Sequence, residues 1–135
     1  MQKKILIVDD EAEIAETIGE VLQAAGYDTA SAANGLEALE RLRTGPHPDL
    51  ILLDLSMPVL DGWGFRREQQ AMPDLAAIPV VVVTADGDAR RKATSLQADG
   101  FLRKPCSIRA LLDEIERHLP PPGGGSMDLG KASGA

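Results

Sequence analysis

Asp9, Asp10, Asp54, Thr84 and Lys104 are the residues of this chain best suited to chemistry. Asp9 and Asp10 follow the apolar run Ile5-Leu6-Ile7-Val8, and Asp54 closes Leu50-Ile51-Leu52-Leu53. Thr84 closes Val80-Val81-Val82-Val83, and Lys104 follows Phe101-Leu102-Arg103 with Pro105 directly after it. Each polar group stands where a short hydrophobic run stops. Strands ending at one edge of a sheet would bring these groups together. Clustered carboxylates can hold a hard divalent cation such as Mg²⁺, which prefers oxygen ligands and keeps several waters. One carboxylate can then attack phosphorus, provided the cation offsets the repulsion between two anions. Asp54 is the candidate nucleophile, Thr84 offers a hydroxyl to a phosphoryl oxygen, and Lys104 offers a cation to the equatorial oxygens where charge gathers. Positioning and electrostatic stabilisation are most of what phosphoryl transfer requires.

The elements that must position these groups are legible in the hydrophobic pattern. Residues 11–25 carry Ile14, Ile18, Val21 and Leu22 on one helical face, and Gly26 follows as a stop signal. Asp28 to Ser31 is a weaker strand. Asn34 caps a helix carrying Leu36, Leu39 and Leu42, which Gly45 and Pro46 end. A helix over about 88–97 follows the valine run, and Ser107 caps a last helix with Ile108, Leu111, Leu112, Ile115 and Leu119 on one face. The helix after Asp61 is the weakest, because it begins with Gly62 and Gly64, each costing roughly 1 kcal/mol in a helix interior. Arg66 and Gln69 stand where a core-facing helix is usually apolar, so this helix is either marginal or uses its exposed face for something else. Continuous apolar strands alternating with amphipathic helices predict an α/β fold, a parallel sheet covered on both faces. Such sheets bind ligands beyond the carboxyl ends of their strands, which is where the polar groups fall.

At 135 residues with 44% hydrophobic and 3% aromatic residues, the chain has the material for one domain with an aliphatic core. A net charge of −7 argues against direct nucleic-acid binding, which needs clustered Lys and Arg, although the same charge serves simply to keep a small protein soluble. The single cysteine, Cys106, permits no intramolecular disulfide and suits a reducing cytoplasm. The first apolar run ends at Val8 against two aspartates, too short for an export signal, and no stretch approaches the roughly 20 apolar residues of a membrane span. From Pro120 the composition changes to Pro120-Pro121-Pro122-Gly123-Gly124-Gly125-Ser126 and small polar residues, read as a disordered tail over 120–135. That tail is a natural terminus, a linker remnant or an expression remnant.

Each polar residue taken singly has an ordinary explanation. An Asp pair after a strand is a common loop and capping signal, Thr84 could cap the next helix, and Lys104 could be a surface lysine. Together, at the ends of successive strands, they resemble the receiver domain of two-component response regulators. The resemblance covers residues 3–119, with the domain assigned to 1–119. It rests on Ile5-Leu6-Ile7-Val8-Asp9-Asp10-Glu11, on Asp54-Leu55-Ser56-Met57-Pro58 running to Asp61-Gly62, on Val83-Thr84-Ala85 and on Lys104-Pro105. It implies a doubly wound, flavodoxin-like sheet of order 2-1-3-4-5 with five helices. It implies that Asp54 accepts a phosphoryl group from a histidine kinase or phosphotransfer protein. Mg²⁺ would be held by the Asp10 and Asp54 side chains and the Ser56 backbone carbonyl, with Asp9 acting mainly through water. Thr84 would be the switch hydroxyl, Lys104 the phosphate-binding cation and the Lys104-Pro105 peptide cis. Phe101 takes the place of the switching aromatic, and its inward swing would reshape the face of the helix at 88–97, the last strand and the last helix. Phe101 as plain core is the competing reading. The downstream partner is a protein, and the state is monomer or phosphorylation-dependent dimer.

Several positions depart from the family pattern or lie beside its site. Cys106 replaces a bulky apolar residue and reads as a small packed one rather than a reactive thiol. Leu60 replaces a common methionine, and Trp63 is expected to pack at the start of the third helix. Ser56 and Asp86 flank the site and would tune loss of the phosphoryl group to water. His47 and His118 lack metal-ligand partners in sequence. Arg90, Arg91 and Lys92, with Asp113, Glu114 and Arg117, could form a charged partner face or a merely solvated one. The domain would promote only its own phosphorylation and dephosphorylation and is not expected to be an enzyme. Aspartate-nucleophile phosphatases of the haloacid dehalogenase type carry a second Asp two residues on, where this chain has Ser56. A pseudo-receiver that binds partners without phosphorylation is a further rival. A flavin or nucleotide binder ranks last, because no glycine-rich phosphate loop follows any strand.

Overall fold

The structure, a computed structural model, describes residues 2–85 and 87–119. The expected disordered tail at 120–135 and the expected part of Asp86 in phosphoryl loss lie outside the described residues. Strands β1 (Lys4–Val8), β2 (Asp28–Ala32), β3 (Leu50–Asp54), β4 (Val80–Thr84) and β5 (Gly100–Arg103) form one parallel sheet in the order β2-β1-β3-β4-β5. The helices are α1 (Ala12–Ala24), α2 (Gly35–Thr44), α3 (Gly62–Gln70), α4 (Pro73–Ala76), α5 (Ala89–Ser95) and α6 (Ile108–His118). Five helices are expected from sequence, and the described residues contain six. The extra one, α4, is a four-residue turn opened by Pro73, too short to show a hydrophobic period.

Alternation along the strands divides the core into two layers. Leu6, Val8, Ile51, Leu53, Val80 and Val82 pack with Leu39, Leu42, Phe65 and Leu96 from α2, α3 and the end of α5. Ile5, Ile7, Leu50, Leu52, Val81 and Val83 pack on the other face with Leu22, Leu111 and Ile115 from α1 and α6. Every residue of β3 and β4 is buried, which is why their sequences read as unbroken apolar runs. Full burial of each such Leu, Ile or Val side chain contributes roughly 1.5–3 kcal/mol. Side-chain caps start three helices: Asn34 Oδ1 accepts from Glu37 N at 2.8 Å, Asp61 Oδ1 from Gly64 N at 2.9 Å, and Ser107 Oγ from Ala110 N at 3.0 Å.

The expectation for α3 is corrected by burial. Arg66 and Gln69 face inward, and Gln69 is wholly buried. Gln69 Nε2 donates to Leu75 O at 2.9 Å, within α4, and to Ile78 O at 3.1 Å, between α4 and β4. Arg66 Nε donates to Leu96 O at 3.0 Å and its NH2 to Gln97 O at 2.6 Å. The helix is therefore neither marginal nor polar toward the core by accident. Its polar side chains satisfy backbone carbonyls that would otherwise be buried without partners.

Gly62 sits where α3 passes the end of β3. A Cβ there would lie 2.7 Å from both the Asp54 carbonyl oxygen and Leu55 Cα, backbone atoms that cannot turn aside. A Cβ on Gly19 would meet Thr29 Oγ1 at 3.6 Å, an ordinary contact. Gly62→Ala is expected to lower the stability by about 1–3 kcal/mol through overpacking. Gly19→Ala is expected to raise it by about 0.5–1 kcal/mol through helix propensity. Chemical denaturation of the two variants beside the parent chain measures both signs.

Candidate functional site

The parallel register aligns the polar residues. Val8 pairs with Leu53, Asp54 with Val83 and Thr84 with Arg103. The residues just past Val8, Leu53, Val83 and Arg103 therefore emerge together at the carboxyl edge of the sheet. Asp9, Asp10 and Asp54 each bring one carboxylate oxygen within 4.8 Å of the others. Asp9 and Asp54 are buried, whereas Asp10 is exposed. Lys104 Nζ is 2.8 Å from Asp9 Oδ2, 3.7 Å from Asp54 Oδ2 and 3.8 Å from Glu11 Oε1. Asp9 Oδ1 also accepts from Glu11 N at 2.9 Å, so both of its oxygens are engaged. Asp54 Oδ1 accepts from Ser56 N at 3.3 Å. The Lys104-Pro105 peptide is cis, as expected.

Burial and charge act in opposition here. Burial pushes the Asp54 pKa above the ordinary carboxylate value. Lys104 and the Ser56 N–H pull it down, Asp9 and Asp10 push it up, and the balance is upward. Burial alone would lower the Lys104 pKa. The hydrogen bond to Asp9 and the charges of Asp54, Asp9 and Glu11 outweigh it, so the ammonium form is held beyond its usual range. Hard oxygen donors in this number fit a divalent cation of the Mg²⁺ or Ca²⁺ type. Asp9, Asp10 and Asp54 are the residues that could hold it, with both Asp9 oxygens engaged by Lys104 and the Glu11 N–H and one Asp54 oxygen by the Ser56 N–H.

Of the switch candidates, Thr84 ends β4, whereas Phe101 lies near the start of β5, opposite Val82. Thr84 is buried, and its carbonyl accepts from Lys104 N at 2.8 Å. Phe101 is half-buried against the core, with the Arg90 guanidinium 5.7 Å from its ring centroid. Arg103 NH2 donates to Gly87 O at 3.0 Å, joining the end of β5 to the loop after Thr84.

Some sequence expectations need correction. Trp63 is exposed rather than packed, and it shares a shallow surface depression with Leu55, Ser56, Met57 and Asp61. Phe65 takes the core position instead, because the helical turn places only one of the two aromatics inward. Cys106 is exposed, not a packed apolar residue, and desolvation of its sulfur raises the thiol pKa, which disfavours the reactive thiolate. Glu114 is buried rather than part of a charged face; it lies 3.1 Å from His118 Nε2 and 3.7 Å from Arg117 NH1. Glu11 has no role assigned from sequence, yet it approaches Lys104 from the helix side. Its place directly after the Asp pair was the available signal.

A groove of about 710 Å³ runs between α1, β2 and α2. It borders Asp9 but not Asp54, Thr84 or Lys104. The acidic cluster therefore lies beside that groove rather than inside it. No helix among the described residues is long and apolar enough to cross a membrane.

The family profile of the response regulator receiver domain matches residues 5–116. The chain belongs to this family, whose general function is a phosphorylation switch. It is 37% identical over 122 residues to the sporulation initiation phosphotransferase F of Bacillus subtilis (strain 168), covering 89% of this chain and 96% of that one. It is 42% identical over 122 residues to a probable transcriptional regulator, ycf27, of Porphyridium aerugineum, covering 88% of this chain and 49% of the relative. The chain thus spans about half the length of several curated relatives it matches. Among solved structures, the receiver domain of a sensor histidine kinase from Pseudomonas aeruginosa PAO1 superposes with a TM-score of 0.79 at 27% identity, covering 87% of this chain and 98% of that one. That structure has a magnesium ion coordinated in its active-site cleft.

The raised Asp54 pKa has a consequence for stability. Its ionised form costs folding free energy at pH above the folded pKa, and the cost disappears once the pH falls below the unfolded value, near 3.8. Asp54→Asn is therefore expected to melt at higher temperature than the parent near pH 7. The advantage should shrink on acidification through the folded pKa. Added Mg²⁺ should also shrink it, by stabilising the parent more than the variant. Thermal melts across pH and Mg²⁺ concentration check both trends.

Proposed function

We propose that the chain is a phosphoacceptor switch. An Asp54 carboxylate oxygen attacks the phosphorus of a phosphohistidine on a histidine kinase or phosphotransfer protein. The P–N bond breaks, an O–P bond forms, and the histidine leaves with a proton from solvent. The observation that carries this reading is Asp54 itself: buried, flanked by Asp9 and Asp10, and faced by the Lys104 ammonium. Asp10, Asp54 and the Ser56 carbonyl would hold Mg²⁺, with Asp9 acting through water. When bound, the ion supplies positive charge against the repulsion between carboxylate and phosphoryl group. Lys104 meets the equatorial phosphoryl oxygens, and the Thr84 hydroxyl donates to one of them.

The acyl phosphate biases Thr84 and Phe101 toward a second arrangement. That shift remodels the face built by α5, β5 and α6, where a protein partner reads it. The domain acts only on itself: Ser56 stands where an acid/base would be needed for turnover of outside substrates. The acidic charge and the lone cysteine suit a cytoplasmic protein that meets its partners without contacting nucleic acid directly.

Intact-mass analysis after incubation with Mg²⁺ and acetyl phosphate tests the reading. One phosphoryl group should add to the parent chain, and none with EDTA or with Asp54→Ala. Absence of the adduct together with absence of Mg²⁺ binding would favour a pseudo-receiver that works by contacts alone.

A further inference from the structure

β2 is an edge of the sheet, and among the described residues no strand covers its outer side. Its pairing with β1 runs without a break from Lys4 opposite Asp28 to Val8 opposite Ala32. Asp28 N donates to Lys3 O at 2.8 Å, and Ala32 O accepts from Asp9 N at 3.0 Å. Strand alternation therefore turns the backbone groups of Asp28, Ala30 and Ala32 toward β1. Those of Thr29 and Ser31 point to the outer edge, along the groove between α1 and α2. The next outward amide, Ala33 N, already donates to a carboxylate, Glu37 Oε1, at 2.6 Å. An open edge invites another strand, and natural proteins guard it with Lys, Pro or a bulge. The run Asp28-Thr29-Ala30-Ser31-Ala32 has none of these. What flanks it is negative charge. Between Lys4 and Arg41 the chain carries nine Asp and Glu residues and no Lys, Arg or His, against a net charge of −7 for the whole chain. Glu13, Glu16 and Glu20 are exposed and line the groove from α1. Glu37 lines it from α2, with its carboxylate 3.7 Å from Arg41 NH2. Edge-to-edge pairing with a second copy would bring two such acidic flanks together, whereas a cationic strand is attracted to them.

We propose that this groove docks an extended segment of a partner protein that bears Lys or Arg at alternate positions and adds to the sheet beside β2. Main-chain hydrogen bonds to Thr29 and Ser31 hold the segment, and its side chains set the choice of partner. Successive side chains of a strand point to opposite faces. One set lies over α1 and meets Glu13, Glu16 and Glu20, so it is the cationic set. The other lies over α2, where Arg41 already answers Glu37, so it is uncharged. The groove does not include Asp54, Thr84 or Lys104, and the docking stands independently of the phosphoacceptor reading.

NMR of the full isotope-labelled chain with unlabelled synthetic peptides tests the proposal. The first peptide alternates Lys with Thr, and the second alternates Glu with Thr. The third is the Lys peptide N-methylated at its central amides, which keeps the charge and removes the ladder donors. The Lys peptide should shift the amides of Thr29 and Ser31 and slow their exchange with solvent. The Glu peptide should do neither, and the methylated peptide should bind more weakly without slowing exchange. The double variant Glu16→Gln, Glu20→Gln should keep the fold and bind the Lys peptide about fivefold more weakly. Equal binding of the plain and methylated Lys peptides, with Thr29 and Ser31 exchange unmoved, would mean attraction to charge alone and would overturn the docking. No binding, or shifts confined to Asp9, Asp10 and Asp54, would overturn it as well. Protection of Thr29 and Ser31 that grows with chain concentration, without any peptide, would place a second copy on the edge instead.

Discussion

Carboxylates crowded at a buried sheet edge repel one another, and the Lys104 ammonium is what the described chain sets against that repulsion. Asp9, Asp10 and Asp54 lie within 4.8 Å by their nearest oxygens, and Lys104 bridges Asp9 and Asp54 from 2.8 and 3.7 Å. The arrangement is a compromise between incompatible demands. A nucleophilic carboxylate must be close to other acids that attract a cation, yet close acids disfavour its ionised form. Burial, with the charges of Asp9 and Asp10 added to it, outweighs Lys104 and the Ser56 N–H and moves the Asp54 pKa upward. Binding of a cation would reverse this balance, so the fold stores at this edge a preference for positive charge.

The rest of the molecule makes that arrangement tolerable. The wholly buried β3 and β4 supply apolar burial on both faces, which offsets the electrostatic cost at their ends. Parallel pairing fixes which residues emerge together, because a slip of one position would turn every side chain to the opposite face. The loop from Asp54 to α3 is held by Gly62 lying tight against the Asp54 carbonyl and by the Asp61 cap. At the end of α5, the Leu96 and Gln97 carbonyls accept from the Arg66 guanidinium, which ties that helix to α3.

The sequence carried the sheet and the acidic site well because both rest on short-range pattern. Apolar runs ended by Asp9, Asp54 and Thr84 are visible without knowing any contact, and the caps at Asn34 and Ser107 lie within three residues of the amides that donate to them. What stayed hidden depends on distant backbone. Arg66 finds its carbonyl partners 30 and 31 residues away, so its inward orientation could not be read from helical period alone. Glu114 is buried beside His118 although it is a charged residue between Asp113 and Ile115 on an otherwise amphipathic helix. Trp63 and Phe65 are both aromatic at the start of α3, and only the packing of α3 against the sheet decides that Phe65 goes in. The turn α4 is too short to leave any periodic signal.

The most direct test is the titration of the Asp54 carboxyl itself, followed by carbon-detected NMR in the absence of divalent ions. The expected result is a pKa above the ordinary value of 3.8, and a further rise in Lys104→Met, where the opposing charge is gone. An Asp54 pKa at or below 3.8, unmoved by the loss of Lys104, would contradict the claim that a crowded and partly compensated carboxylate cluster organises this site.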